Sequence, residues 1–185
     1  GHFGLTEYIL MHALIYRTAV VRESKMQLPE HTFYVDFIYA YQPFPWVKSM
    51  LYMDIPFYHY FIGREGQSVQ TDVMIRRVAQ LRLVNQRMVE ATPEPGTVPD
   101  GLYRYMIHFL AIESSVTSVF LILSKDKANY RLKDELWADI DKASPAIGRD
   151  VRRKLVSRAL NLRGSVGRWV IRRGYVVAEK VVGFN

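Results

Sequence analysis

The run from Leu102 to Leu123 constrains this chain most. It is apolar and long enough to cross a bilayer, for which about 20 residues suffice. Within it stand Arg104, His108 and Glu113. Each is costly at bilayer depth. The run therefore reads as a buried core helix, and the rest of the chain must supply a cover for it. With 49% hydrophobic and 23% charged residues among 185, the composition is that of a globular chain, with material for about one domain. There is no cysteine, which excludes disulfide frameworks, thiolate metal sites and cysteine nucleophiles.

Charge is unevenly placed. Residues 149–185 hold ten Lys/Arg against Asp150 and Glu179, a net of +8. Residues 1–148 hold the other 15 bases against 16 acids, a net of −1. A globally basic nucleic-acid binder spreads or stripes its charge, and no nucleic-acid recognition motif is present. A basic tail also serves an anionic membrane or an acidic partner. The first residues, Gly1-His2-Phe3, lack an initiator Met, and no signal-peptide pattern is visible, which suggests a piece of something longer.

Patterning gives a coarse map. Residues 5–21 read as a short strand around 8–12 followed by a helix near 16–23. Phe33, Phe37 and Tyr41 lie four apart, a helical stripe that Pro43 and Pro45 end. Val47–Ile55 reads as a buried strand and Phe57–Ile62 as a second extended stretch. Met74, Val78, Leu81, Asn85 and Met88 mark an amphipathic helix over 71–91. Three prolines and two glycines make 92–101 the best linker. Helices are expected over 132–143 and 146–161. The final segment, 165–182, alternates apolar residues with arginine and suits a surface helix.

Motifs for chemistry are few. Asp139-Ile140-Asp141 matches the D-x-D that holds a divalent metal on a nucleotide diphosphate. It lies in a helical context, where positions i and i+2 face apart, so it reads as a solvated helix face. The five histidines show no i, i+4 metal spacing. Gly63-Arg64-Glu65-Gly66 lacks the endings of a phosphate loop.

Two segments in order carry more. The first is Leu28-Pro29-Glu30-His31-Thr32-Phe33-Tyr34-Val35-Asp36. The second runs Tyr52-Met53-Asp54-Ile55-Pro56-Phe57-Tyr58-His59-Tyr60-Phe61-Ile62-Gly63-Arg64-Glu65-Gly66-Gln67-Ser68-Val69. Together they resemble the acceptor-side half of bacterial family 2 glycosyltransferases, which are inverting enzymes. Residues 8–90 carry the likeness, with Met11–Arg17 similar to the preceding strand and helix. Val35 departs from the family, many members having Glu before the Asp.

The resemblance implies an α/β fold, the C-terminal part of a nucleotide-diphospho-sugar transferase (GT-A) architecture with a few strands and a mainly helical extension. It divides the chain into an acceptor-side half at 1–91, a helical extension at 92–148 and basic amphipathic helices at 149–185. It implies Asp36 as the catalytic base, with Glu30, His31 and Tyr34 lining the acceptor side. His59, Arg64, Gln67 and Ser68 then approach the donor phosphates, the other reading of each being an ordinary polar turn. The intact enzyme would use a nucleotide-sugar donor, a glycan or lipid-linked cell-envelope acceptor, and Mg or Mn held by ligands outside this chain. The chain alone would transfer no sugar and would associate with itself. Its place would be cytoplasmic, peripheral on the inner face of the membrane. The rival class is a non-catalytic helical domain docking on a membrane or partner. The tail at 149–185 has two readings, membrane binding or packing on the fold.

Overall fold

The computed structural model describes residues 4, 7–59, 61, 70–162 and 164–182, the side chains of 180–182 excepted. Among the described residues there are nine α-helices, two short 3-10 helices and no strand. The α/β fold implied by the resemblance is thus overturned. Residues 8–12 are not a strand: they run into a 3-10 helix, Met11–Ala13. From Val47 the chain is without regular structure through Tyr58, and residues 48–59 are exposed. A strand exists by pairing with another strand. Strand-like composition with no paired neighbour leaves only an exposed, irregular arm.

The helices follow the apolar periods. α1 (Thr18–Glu23) and α2 (Val35–Tyr39) are short. The expected helix over 71–91 divides at Arg77 into α3 (Thr71–Arg76) and α4 (Val78–Ala91). α5 (Asp100–Leu123) is the apolar run, and it is largely buried. α3, α4, α6 (Lys127–Ala143), α7 (Pro145–Arg153), α8 (Leu155–Leu160) and α9 (Gly164–Val182) all pack against it. Two starts are capped as the sequence dictates. Asp126 accepts the Ala128 N–H at 2.9 Å, and Ser144 accepts from Ile147 with Pro145 in the first turn of α7.

α5 is buried by protein because one side of it is polar. Ser114 accepts from Asn85 Nδ2 on α4 at 2.8 Å, and Ser118 accepts from Trp137 Nε1 on α6 at 3.0 Å. Ser115 and Ser118 return their hydroxyls to Ala111 and Ser114 carbonyls. These bonds offset the cost of burying polar groups and fix which helices lie alongside. Around them Ile38, Tyr41, Leu81, Val84, Met88, Phe109, Leu110, Leu136, Ile140 and Val151 form one apolar cluster. The expected linker is anchored at its start: Tyr41 Oη bonds Thr92 Oγ1 at 2.8 Å, and Ser144 donates to Glu94 at 2.9 Å. α7 lies close on α6 at Gly148, where a Cβ would stand 3.0 Å from the Asp141 Cα. Any side chain there forces the two helices apart.

Candidate functional site

α2 begins after Tyr34, whose φ of 68° is left-handed, so the chain turns sharply into the helix. That turn buries the Tyr34 ring and places Asp36 in the first helical turn. An acid there meets the unpaired N–H groups of the helix start. Partial burial pushes the Asp36 carboxyl above its ordinary range, while the N–H groups of residues 36 and 37 and the nearby His12 pull it back.

A second carboxylate faces the same region. Glu113 on α5 is buried, and its Oε1 accepts from Thr117 at 3.1 Å. Burial, with the charge of Asp36 as a smaller cause, pushes it up to about 8. Tyr8 is near enough to feel both charges. Its phenol is raised chiefly by burial, then by the Glu113 and Asp36 charges. Its ring stacks on Phe109 at 4.4 Å and meets Phe37 at 5.9 Å. Asp36, Glu113, Tyr8 and Tyr34 thus form an acidic cluster walled by aromatic rings. His12 borders it and stacks at 5.0 Å on Tyr58 from the exposed arm.

Other expected residues are placed differently. Glu30 and His31 are exposed, and His31 has φ of 52°. The Glu30 carbonyl accepts the Thr32 hydroxyl at 3.0 Å, a local turn. The acceptor-side set therefore comes together only as Tyr34 with Asp36. His59 is exposed on the arm, and Arg64, Gln67 and Ser68 lie outside the described residues. In the helical stripe, Phe37 and Tyr41 both reach Phe109, at 6.1 and 5.5 Å. Phe33 instead stays exposed beneath the Arg77 guanidinium, 3.5 Å from the ring centre. Asp139 and Asp141 each take a separate arginine: Asp139 pairs with Arg82, and Asp141 with Arg152 at 2.6 Å. That is the behaviour of helix-face acids. Among the described residues no three His, Asp or Glu gather, so no set of metal ligands is found in them.

Glu113 and Tyr8 were not singled out for this site from the sequence. The signal was present, because a carboxylate inside an apolar run needs a neighbour that tolerates it. No protein-family model, no curated protein and no solved structure matches the chain.

Proposed function

We propose that the chain is the acceptor-side part of a sugar transferase in which Asp36 takes the proton of the attacking hydroxyl. The observation that carries this reading is the placement of Asp36. Its carboxylate stands at a helix start, partly buried, in aromatic surroundings beside a second acid. The motif around it, Phe33-Tyr34-Val35-Asp36, supplies the sequence support.

Transfer from a nucleotide-diphosphate donor with inversion requires an acceptor oxygen to attack the anomeric carbon as the bond to diphosphate breaks. The acceptor proton passes to a base in that step. A carboxylate in water is a weak base; one whose pKa is raised by burial removes the proton more effectively at neutral pH. Asp36 has that character, and half-exposed aromatic rings nearby such as Phe33 suit the apolar faces of a sugar ring. Neutralising the leaving diphosphate would fall to His59 and Arg64 in this chain, with a divalent metal held by ligands outside it supplying further positive charge. The proposed setting is the cytoplasmic face of the membrane, with a glycan or lipid-linked acceptor.

The test is sugar transfer by the product of the full reading frame containing this chain, against its Asp36→Asn variant. Turnover falls by at least about 10²-fold with donor affinity unchanged, since general-base catalysis contributes about 10²–10⁴. Full turnover in the variant removes Asp36 from the chemistry. Transfer by the 185-residue chain alone overturns its assignment as one part of the enzyme.

A second reading, a helical docking module, is favoured by the exposed arm. Met50, Leu51, Tyr52, Ile55, Phe57 and Phe61 are all more than half exposed. Contiguous apolar exposure of this kind marks a contact surface. On that reading, loss of arm residues abolishes partner binding while Asp36→Asn changes nothing.

A further inference from the structure

α9 is apolar on two opposite sides. Its inner side holds Gly167, Ile171 and Tyr175. Ile171 is buried against Val119 and Ile122 of α5, and Tyr175 meets Phe120 at 5.8 Å. Gly167 is buried where a Cβ would lie 2.7 Å from the Leu162 backbone, so the helix is held tightly to the turn before it. This side accounts for the attachment of α9 to the fold.

The opposite side has no such use. Val166, Trp169, Val170, Val176 and Val177 are exposed, Trp169 by 59% and Val166 by 73%. They recur at spacings of three, four and seven, a single stripe on a 3.6-residue helix. Arg173 stands within the stripe, its guanidinium 5.8 Å from the Trp169 ring centre. Arg168 and Arg172 are half-buried beside it over Tyr130, at 4.7 and 5.7 Å, and Arg172 also donates to the Ile122 carbonyl at 3.4 Å and to the Tyr130 hydroxyl. The single acid of the helix, Glu179, lies off the stripe on the flank shared with Arg168 and Arg172, where it accepts from Thr71 at 2.7 Å.

We propose that this outer face of α9 is a docking surface for an anionic lipid bilayer, with α9 lying in the plane of the interface. The proposal is independent of the role of Asp36. The argument is charge complementarity joined to an apolar stripe. A row of exposed Val and Trp with Arg173 inside it and half-buried Arg168 and Arg172 on one flank, where the one carboxylate is held by Thr71, matches negative headgroups above acyl chains. A tryptophan whose ring is apolar and whose N–H is polar suits that boundary. A nucleic acid presents phosphates to the arginines but has no apolar layer to receive Val166, Val170, Val176 and Val177. The stripe from Val166 to Val177 spans about 17 Å at 1.5 Å per residue, far short of the roughly 30 Å hydrocarbon core, so insertion is shallow. Ile171 lies outside the docking face, although it sits among these residues in sequence.

The experiment is vesicle flotation of the whole chain with phosphatidylcholine alone and with phosphatidylcholine plus phosphatidylglycerol, at low and high salt. Floated protein rises at least tenfold with phosphatidylglycerol and falls as salt screens the arginines. The variant Trp169→Ser/Val170→Ser/Val177→Ser keeps its helical circular dichroism, since these side chains are outside the core, and loses at least tenfold of its binding. In a Trp46→Phe background, brominated lipid quenches Trp169 while buried Trp137 stays bright. Equal flotation on neutral and anionic vesicles overturns the proposal. So does undiminished binding by the folded triple variant, or retention of the chain by RNA or DNA without flotation.

Discussion

α5 and the arm at 47–59 are both dominated by large apolar residues, yet one is the centre of the molecule and the other lies in solvent. α5 buries Met106, Ile107, Phe109, Leu110 and Leu121 almost completely. Leu51 and Tyr52 are 81% and 80% exposed. Hydrophobicity does not distinguish them. What distinguishes them is whether each satisfies its own backbone. A helix bonds its own peptide groups and brings only side chains to its neighbours. A strand needs another strand before its apolar faces can be buried. The other helices cover α5, and among the described residues nothing pairs with the arm. Three measurements break or sharpen this contrast.

The largest effect is at Phe109. Tyr8, Phe37, Tyr41 and Tyr105 all contact its ring, with centroids between 4.4 and 6.2 Å. Phe109→Ala leaves a cavity bounded by four aromatics that cannot all close on it, at a cost of about 3–5 kcal/mol. Urea unfolding measures it through the midpoint, with the slope unchanged if the unfolded state is unaffected. A loss below about 1 kcal/mol means that α5 is not the centre of the core.

Next comes Glu113, the acid on that same helix. Its folded pKa of about 8 lies above the ordinary 4.5. Between those values the folded chain holds a proton that the unfolded chain releases. Stability from this group is therefore full below about pH 4.5, declines as pH rises toward 8, and stays low above it. The decline is at most a few kcal/mol at 1.36 kcal/mol per pH unit, and Asp36, raised in the same direction, adds to it. Glu113→Gln removes the larger, Glu113 share of the dependence and makes the protein more stable than wild type at pH 8. Thermal midpoints at pH 5, 6.5 and 8 decide it: a wild type whose stability rises over that range contradicts the assignment.

The sequence made α5 legible because its length, apolarity and three ionisable residues left few alternatives. α6, α7 and α9 followed from period and from Pro145, although α8 separates from α7 only at Lys154, which lacks helical φ/ψ. The division at Arg77 was hidden, since the apolar period continues through it. The arm was misread because composition reports a preference for extended backbone and says nothing of what pairs with it. At the site, Asp36 and Tyr34 were legible as neighbours in one motif. Their meeting with Glu113, 77 positions on, was not. It depends on α2 packing on α4 and reaching α5 through the Phe37 and Phe109 rings.

The smallest effect on stability belongs to the arm. Leu51, Ile55 and Phe57 touch little, so changing all three to Ser shifts the unfolding midpoint by no more than about 0.5 kcal/mol, as for surface positions generally. The same change has a large effect on association. An exposed apolar segment rich in Tyr, Phe and Ile, free of ladder neighbours among the described residues, is a template for pairing with a second copy. Wild type should therefore sediment faster as concentration rises, and the triple variant should stay monomeric over the same range. The two results must be read together. If the variant is destabilised by several kcal/mol, the arm is packed as α5 is packed, and the contrast between them fails. If both proteins remain monomeric at high concentration, the arm is exposed but not adhesive, with Lys48 and Asp54 sufficient to keep copies apart. Association lost with stability unchanged is the outcome that separates apolar residues holding this chain together from apolar residues turned toward another.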